Sequence, residues 1–375
     1  MVMSDGAIQN LPTFEWRRGV IKVGSALIAP NGEGCRTEHL LALAQFINAS
    51  RRQGKELLLV SSGAVAAGRN AFPPIGKVTL AEKQAMAAVG QTRMMANWAR
   101  LFDFPTAQIL MTHGDIRDRD RYLNIKATIR ELLSHGILPI INENDSVATE
   151  ELKFGDNDNL GALVALVADA DTLFVCTDVD GLYDADPRQN PGAKLLKRVE
   201  KVDQQIMQLA GGRGSAVGTG GMLTKLQAAQ KAGANGIQTL ILNGYKTESF
   251  ESLARGHVPG TLFEPGLSLS NAKKQWLRHS LKAKGKVTVD DGARQALLQR
   301  GASLLPVGVK AVSGDFAAGD AIEIWHASDL LAIGLSSYNA QDLNKVSGLK
   351  STQIEAALGY AGHEAAVHRD DLVLI

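Results

Sequence analysis

The chain has 375 residues, 45% of them hydrophobic and 21% charged, with a formal net charge of +1. Such a composition fills a large core without metal or disulfide staples, and the length suits about two domains. Near-neutral charge excludes a global field for nucleic acid or membrane, and Cys35 and Cys176 lack metal-ligand spacing, as befits a reducing compartment.

Residues 1–17 are polar and irregular and read as an N-terminal extension, with neither the basic region nor the apolar stretch of a signal peptide. The run Leu160–Ala168 is the longest apolar stretch and is too short to span a bilayer. A cytoplasmic protein with no membrane partner is therefore expected. Strands are expected at Val20–Val23, Glu56–Val60, Ala107–Met111, Leu138–Ile141, Leu173–Cys176 and Gln238–Leu242. Helices are expected at Thr37–Arg52, Leu80–Phe102, Arg119–His135, Asn159–Val167, Asp203–Ala210 and Gly221–Ala232. Apolar strands spaced by helices predict an α/β fold: an open, mainly parallel sheet sandwiched by helices, over residues 18–265. Residues 266–282 read as a linker within a basic stretch that runs to Lys286. Beyond them, strand-like pieces at Lys286–Val289, Val309–Val312, Ala321–Trp325 and Leu330–Ser336 predict a small β-rich domain over 283–375.

No Walker loop is present, and the glycines at 212, 214 and 218 miss the dinucleotide spacing. Three other glycine turns adjoin regular elements: Lys22-Val23-Gly24-Ser25, Ser61-Ser62-Gly63-Ala64 and Gly218–Lys225. Glycines let backbone N–H groups approach an anion, a helix N-terminus adds its dipole, and Lys22 and Lys225 add full charges. One such turn ordinarily just ends a strand; three together, two with lysines, point to a phosphate site. Asn142-Glu143-Asn144-Asp145 and Gly155-Asp156-Asn157-Asp158-Asn159 are ordinary turn and cap residues. They also have the chemistry to hold an amino acid, since carboxylates accept from an ammonium and amides reach a carboxylate. Asp145 suits the α-ammonium group, and the Gly24 and Gly63 amides suit a carboxylate at the reacting end. A final run, Thr177–Arg188, follows the strand Leu173–Cys176 and is too particular for a plain acidic loop.

These motifs resemble the amino acid kinase family, and Thr177-Asp178, Gly181-Leu182-Tyr183 and Asp186-Pro187 are its widely shared part. Ile141–Asp145, Gly155–Asn159 and Gly218–Lys225 resemble the narrower branch that phosphorylates the side-chain carboxylate of glutamate, the first step of proline synthesis. Ser303–Pro306 with Val312–Asp320 resembles a PUA domain. The resemblance covers about residues 18–375 and implies ATP and Mg²⁺ as cofactors, with no dedicated protein metal site. It implies Lys22, Lys225 and Asp158 as catalytic residues, Asp158 orienting the lysines. Lys22, Thr177, Asp178, Thr219, Gly220, Gly221, Met222, Leu223, Thr224 and Lys225 would hold ATP. Ser62, Gly63, Asn142, Asp145, Asp156 and Asn157 would hold L-glutamate. It further implies a homo-oligomer, proline as feedback inhibitor, and hand-over of glutamyl phosphate to glutamyl phosphate reductase. Ala26 stands where the family generally carries a second hydroxyl residue. The rival readings are a kinase for aspartate or acetylglutamate, and an RNA-binding protein acting through the PUA domain. Residues 273–375 carry 12 Lys or Arg against 11 Asp or Glu, which makes RNA the minor partner.

Overall fold

The computed structural model describes residues 14–30, 34–73, 76, 78–147, 157–187, 189–210, 220–266 and 283–375. These fall into two compact units. The first is built on β1 (Arg18–Val23), β2 (Glu56–Ser61), β3 (Thr106–Met111), β4 (Leu138–Glu143), β5 (Thr172–Thr177), β6 (Arg198–Val199), β7 (Gln238–Asn243) and β8 (Thr261–Phe263). They form one eight-stranded sheet in the order β3-β4-β2-β1-β5-β7-β8-β6. From β3 to β7 every pairing is parallel, and β8 then runs antiparallel to β7.

The central strands are leucine- and β-branched-rich, and β2, β4 and β5 are buried along nearly their whole length. A parallel strand covered on both faces has no water-facing side, so it carries no polar alternation. The cover comes from α2 (Leu41–Arg52), α4 (Leu80–Ala99), α7 (Asn157–Val167), α9 (Gly220–Ala234) and α10 (Thr247–Ala254). The expected helix from Thr37 begins at Leu41 instead, because the preceding residues form a turn. On α2, Leu43, Ala44, Phe46 and Ile47 face the core at helical spacing. Thr79 and Glu82 close a capping box that starts α4. Phe14 and Trp16 precede the expected domain start at 18, yet both are buried edge-on against Phe174 of β5.

Chain order places the site. From β1 the chain moves outward to β2, then to β3 and β4, and returns to the opposite side of β1 at β5. In an open parallel sheet, ligands bind at the carboxyl ends of strands where the winding direction reverses. Here those ends are Val23, Ser61, Glu143 and Thr177.

The second unit holds β9 (Gly285–Val289), β10 (Val309–Gly314), β11 (Ala321–His326), β12 (Asp329–Leu335) and β13 (Leu372–Leu374), in the order β10-β9-β11-β12-β13. Its own core includes Val287, Leu304, Phe316, Ile322, Ile324 and Val367. Sequence reading found its first four strands but none of its helices: α11 (Asp291–Arg300), α12 (Ala340–Val346) and α13 (Ser351–Leu358). Each of these buries only one or two side chains, so no apolar stripe announces it.

Candidate active site

A cavity of 560 Å³ opens at the strand ends, and the phosphate and amino-acid motifs line it together. At one end Lys22, the fifth residue of β1, places Nζ 2.7 Å from Asp158 Oδ1. Lys225 on α9 places Nζ 3.1 Å from the other oxygen, Asp158 Oδ2, and also donates to Gly221 O at 3.0 Å. Thr224 Oγ1 donates to Asp158 Oδ2 at 2.7 Å. The three charged groups are 6%, 2% and 8% exposed for Lys22, Asp158 and Lys225. One buried carboxylate thus fixes two buried ammonium groups, leaving a net positive charge aimed at the cavity. Gly161 lets α7 lie close to β1, since a Cβ there would crowd the Lys22 side chain at 3.3 Å.

The electrostatics follow from burial. Desolvation lowers the Lys22 pKa below the ordinary lysine value, Asp158 opposing and Lys225 reinforcing the fall. Burial pulls the Asp158 carboxyl upward, but Lys22, Lys225 and the bond from Thr224 outweigh it and hold it below the usual range. Cys176 sits at the cavity wall, fully buried, with its thiol pushed up to about 12 by desolvation.

At the other end lie Ser62, Gly63, Asn142, Asp145 and Asn157. Gly63 has φ of +99°, a left-handed conformation that a side chain resists, and it opens the short helix α3 (Ala64–Gly68). Asn157 Nδ2 reaches Ser62 Oγ at 2.8 Å and Asn142 Oδ1 at 3.0 Å. Asp145 is partly buried, and desolvation raises its pKa to about 6. No cation among the described residues offsets that burial, and an arriving ammonium would supply one.

Residues 17–243 match the family described as the amino acid kinase family, and residues 285–358 match the PUA domain. The chain belongs to the amino acid kinase family. Its amino acid kinase relatives include glutamate 5-kinase of Idiomarina loihiensis, 52% identical over 96% of this chain and 98% of that protein. Glutamate 5-kinase of Salinibacter ruber is 49% identical over 96% and 98%, and that of Xanthomonas euvesicatoria is 49% identical over 95% and 100%.

Most of the amino acid kinase residues singled out from sequence line the cavity: Lys22, Ser62, Gly63, Asn142, Asp145, Asn157, Asp158, Thr177, Asp178, Gly221, Thr224 and Lys225. Gly220 opens α9, and Met222 and Leu223 lie on that helix outside the lining, Leu223 being exposed. Thr219 and Asp156 lie outside the described residues. The widely shared run after β5 turns out to be partly architectural. Asp180 accepts from Asn243 at 3.0 Å and pairs with Lys246, tying the β5 and β7 loops together. Gly181 is there because a Cβ would run into the Thr261 side chain, whose Oγ1 accepts from Leu182 N–H at 2.8 Å.

Sequence reading did not place Arg69 or Tyr245 in the site, although both line the cavity, and it gave Glu143 no role beyond membership of the Asn142–Asp145 loop. It also passed over Gln91, a polar residue on the buried stripe of α4 between Ala87 and Met94. A glutamine at a core position of an amphipathic helix is the signal that was available. No helix among the described residues is long and apolar enough to cross a membrane.

Proposed function

We propose that the protein transfers the terminal phosphoryl group of ATP to the side-chain carboxylate of L-glutamate, forming L-glutamyl 5-phosphate and ADP. One observation carries this reading. The same cavity holds two buried ammonium groups on one carboxylate at one end and the partly buried, proton-hungry Asp145 at the other. The first arrangement suits a polyphosphate, the second an amino acid's ammonium.

The chemistry asks for little beyond positioning and charge. The glutamate side chain is ionised at neutral pH, so its oxygen attacks without a general base. A bond forms from that carboxylate oxygen to the γ-phosphorus, and the bond to the β–γ bridging oxygen breaks. Lys22 and Lys225 stabilise the charge that spreads over the transferring group and the departing ADP. Asp158 holds both lysines, and Thr177 and Asp178 face the nucleotide.

Both Asp158 oxygens are engaged by lysines, so Asp158 makes a poor direct ligand for Mg²⁺. The donor set instead fits an ion that would be held chiefly by the ATP phosphates and water, with Glu143, Asp145 and Asp178 the other carboxylates of the lining. Bound there, Mg²⁺ would supply neutralisation of phosphate charge.

Asp145, Asn157 and Ser62 hold the amino-acid end. Proline shares that end of glutamate without the reacting carboxylate, and it is the inhibitor this pocket suits. The product is an acyl phosphate open to attack by its own amine, which favours hand-over to a reductase that consumes it. The test is trapping with hydroxylamine in Mg-ATP. Glutamate should give hydroxamate, with aspartate and acetylglutamate much poorer; equal rates with acetylglutamate would overturn the assignment.

A further inference from the structure

Beneath the amino-acid end of the cavity three buried amides run in series. Asn157 Nδ2, with two hydrogens, faces three acceptors: Ser61 O at 3.3 Å, Ser62 Oγ at 2.8 Å and Asn142 Oδ1 at 3.0 Å. Asn142 Nδ2 then donates to Gln91 Oε1 at 2.9 Å. Gln91, Asn142 and Asn157 are 7%, 1% and 7% exposed, so water does not compete for these groups.

The direction of the chain is forced. A backbone carbonyl only accepts, so Ser61 O requires the Nδ2 end of Asn157. Asn142 must then present its oxygen to Asn157, and its own Nδ2 needs an acceptor, which Gln91 Oε1 supplies. Turning the Gln91 amide over would set two donors face to face. Holding it as it stands leaves Gln91 Nε2 buried without a partner. Buried orphan donors are rare, and one that persists calls for a reason.

The reason lies at the cavity wall. With Nδ2 committed to this chain, the carbonyl oxygen of Asn157, a residue of the cavity lining, is the group left to accept from a ligand. Ser62 Oγ faces the Asn157 Nδ2 donor at 2.8 Å, so its own hydrogen turns away and is left to donate. The pair therefore offers one acceptor and one donor, matching the ammonium and carboxylate of an amino acid. Gln91 itself is not in the lining and can act only through Asn142. It is fixed from its own helix: Met94 and Trp98, on the same face of α4, both clasp Ser61 Oγ, at 3.1 Å and 3.0 Å.

We infer that Gln91 is a positioning residue for the amino-acid substrate, the terminal acceptor that sets the direction of the Asn142–Asn157 amide chain. The inference rests on the glutamate reading above.

The test compares Gln91→Met and Gln91→Leu, which lack the acceptor, with Gln91→Glu, which keeps an oxygen toward Asn142. Glutamate KM, ATP KM, kcat and thermal midpoint are measured for each and for wild type. Losing one hydrogen bond that orients a binding group should raise glutamate KM about 10-fold, leaving ATP KM within about 2-fold. Gln91→Glu should stay within about 3-fold of wild type in both. Three results overturn the inference: acceptor-free variants that change only the midpoint, a Gln91→Glu enzyme as impaired as Gln91→Met, or failure of both acceptor-free variants to fold. A wild-type enzyme without glutamate-dependent hydroxamate overturns the function first, and the inference with it. Normal wild-type activity with an unmoved Gln91→Met overturns the inference alone.

Discussion

Lys22 Nζ lies 2.7 Å from Asp158 Oδ1, and both side chains are buried at the carboxyl edge of the sheet. Because Lys225 holds the second oxygen of the same carboxylate, the three groups act as a unit. Their geometry is set by β1, α7 and α9, not by a mobile loop.

Asp158→Asn removes the shared counterion. The kcat should fall about 10²-fold or more, since both cations lose their orientation. Burial already depresses the Lys22 pKa and Asp158 opposes that fall. Without Asp158 the Lys22 pKa drops further. A protonated Lys22 is required, so activity is lost as pH rises through that pKa. The alkaline limb of the kcat profile should therefore move to lower pH in the variant. An unmoved alkaline limb would separate Lys22 from the chemistry.

Asp145 sets the acid side. Its carboxyl pKa is raised to about 6 by burial, and its ionised form is the one that binds an ammonium. In the free enzyme it takes up a proton as pH falls through about 6, so kcat/KM for glutamate should decline over that window. Asp145→Asn should abolish this limb, raise glutamate KM and weaken proline inhibition, with ATP KM little changed. Steady-state kinetics between pH 5 and 8 reads all three. A rise in ATP KM instead would place Asp145 at the nucleotide.

Helices α3 and α4 touch backbone to backbone. A Cβ on Gly68 would strike Met86 O, and one on Gly90 would strike Ala64 O. Gly90→Ala should cost about 1–3 kcal/mol by overpacking, seen as a lower thermal midpoint. Because α3 follows Ser62 and Gly63, glutamate KM should rise more than ATP KM. An unchanged midpoint would mean that the helices separate freely.

The six long strands of the first unit were legible from sequence because buried parallel strands are unbroken apolar runs, and the turns that line the cavity stood out by their glycines; the short β6, β8 and β13 were not read, having too few residues to form a run. Lys22, Asp158 and Lys225 lie far apart in the chain, yet each could be placed at a strand or helix end. What escaped was whatever depends on a partner. Gln91 reads as an ordinary helix residue until Asn142 is beside it. Gly181 reads as a turn residue until Thr261 packs on it. The second unit's helices bury too little to leave a stripe, as α11 shows with Leu297 alone. Phe14 and Trp16 sit in a polar stretch, and only Phe174 and Phe46 reveal them as core.

Among the described residues, those that line the cavity fall between Lys22 and Tyr245. The second unit has its own hydrophobic core. A chain ending near residue 266 should therefore fold and still form glutamyl phosphate, as judged by circular dichroism and hydroxamate trapping. A folded but inactive truncation would mean that the second unit supplies groups to the reaction.

The most direct test of the central claim follows the oxygen. Glutamate labelled with oxygen-18 in its side-chain carboxylate is incubated with Mg-ATP and enzyme until the acyl phosphate has cyclised on its own amine and released phosphate. If the carboxylate attacks the γ-phosphorus, the bridging oxygen leaves with the phosphate, and mass spectrometry finds one labelled oxygen per glutamate-dependent phosphate. Phosphate without label would mean that water is the attacking group, and the glutamate kinase account would be contradicted.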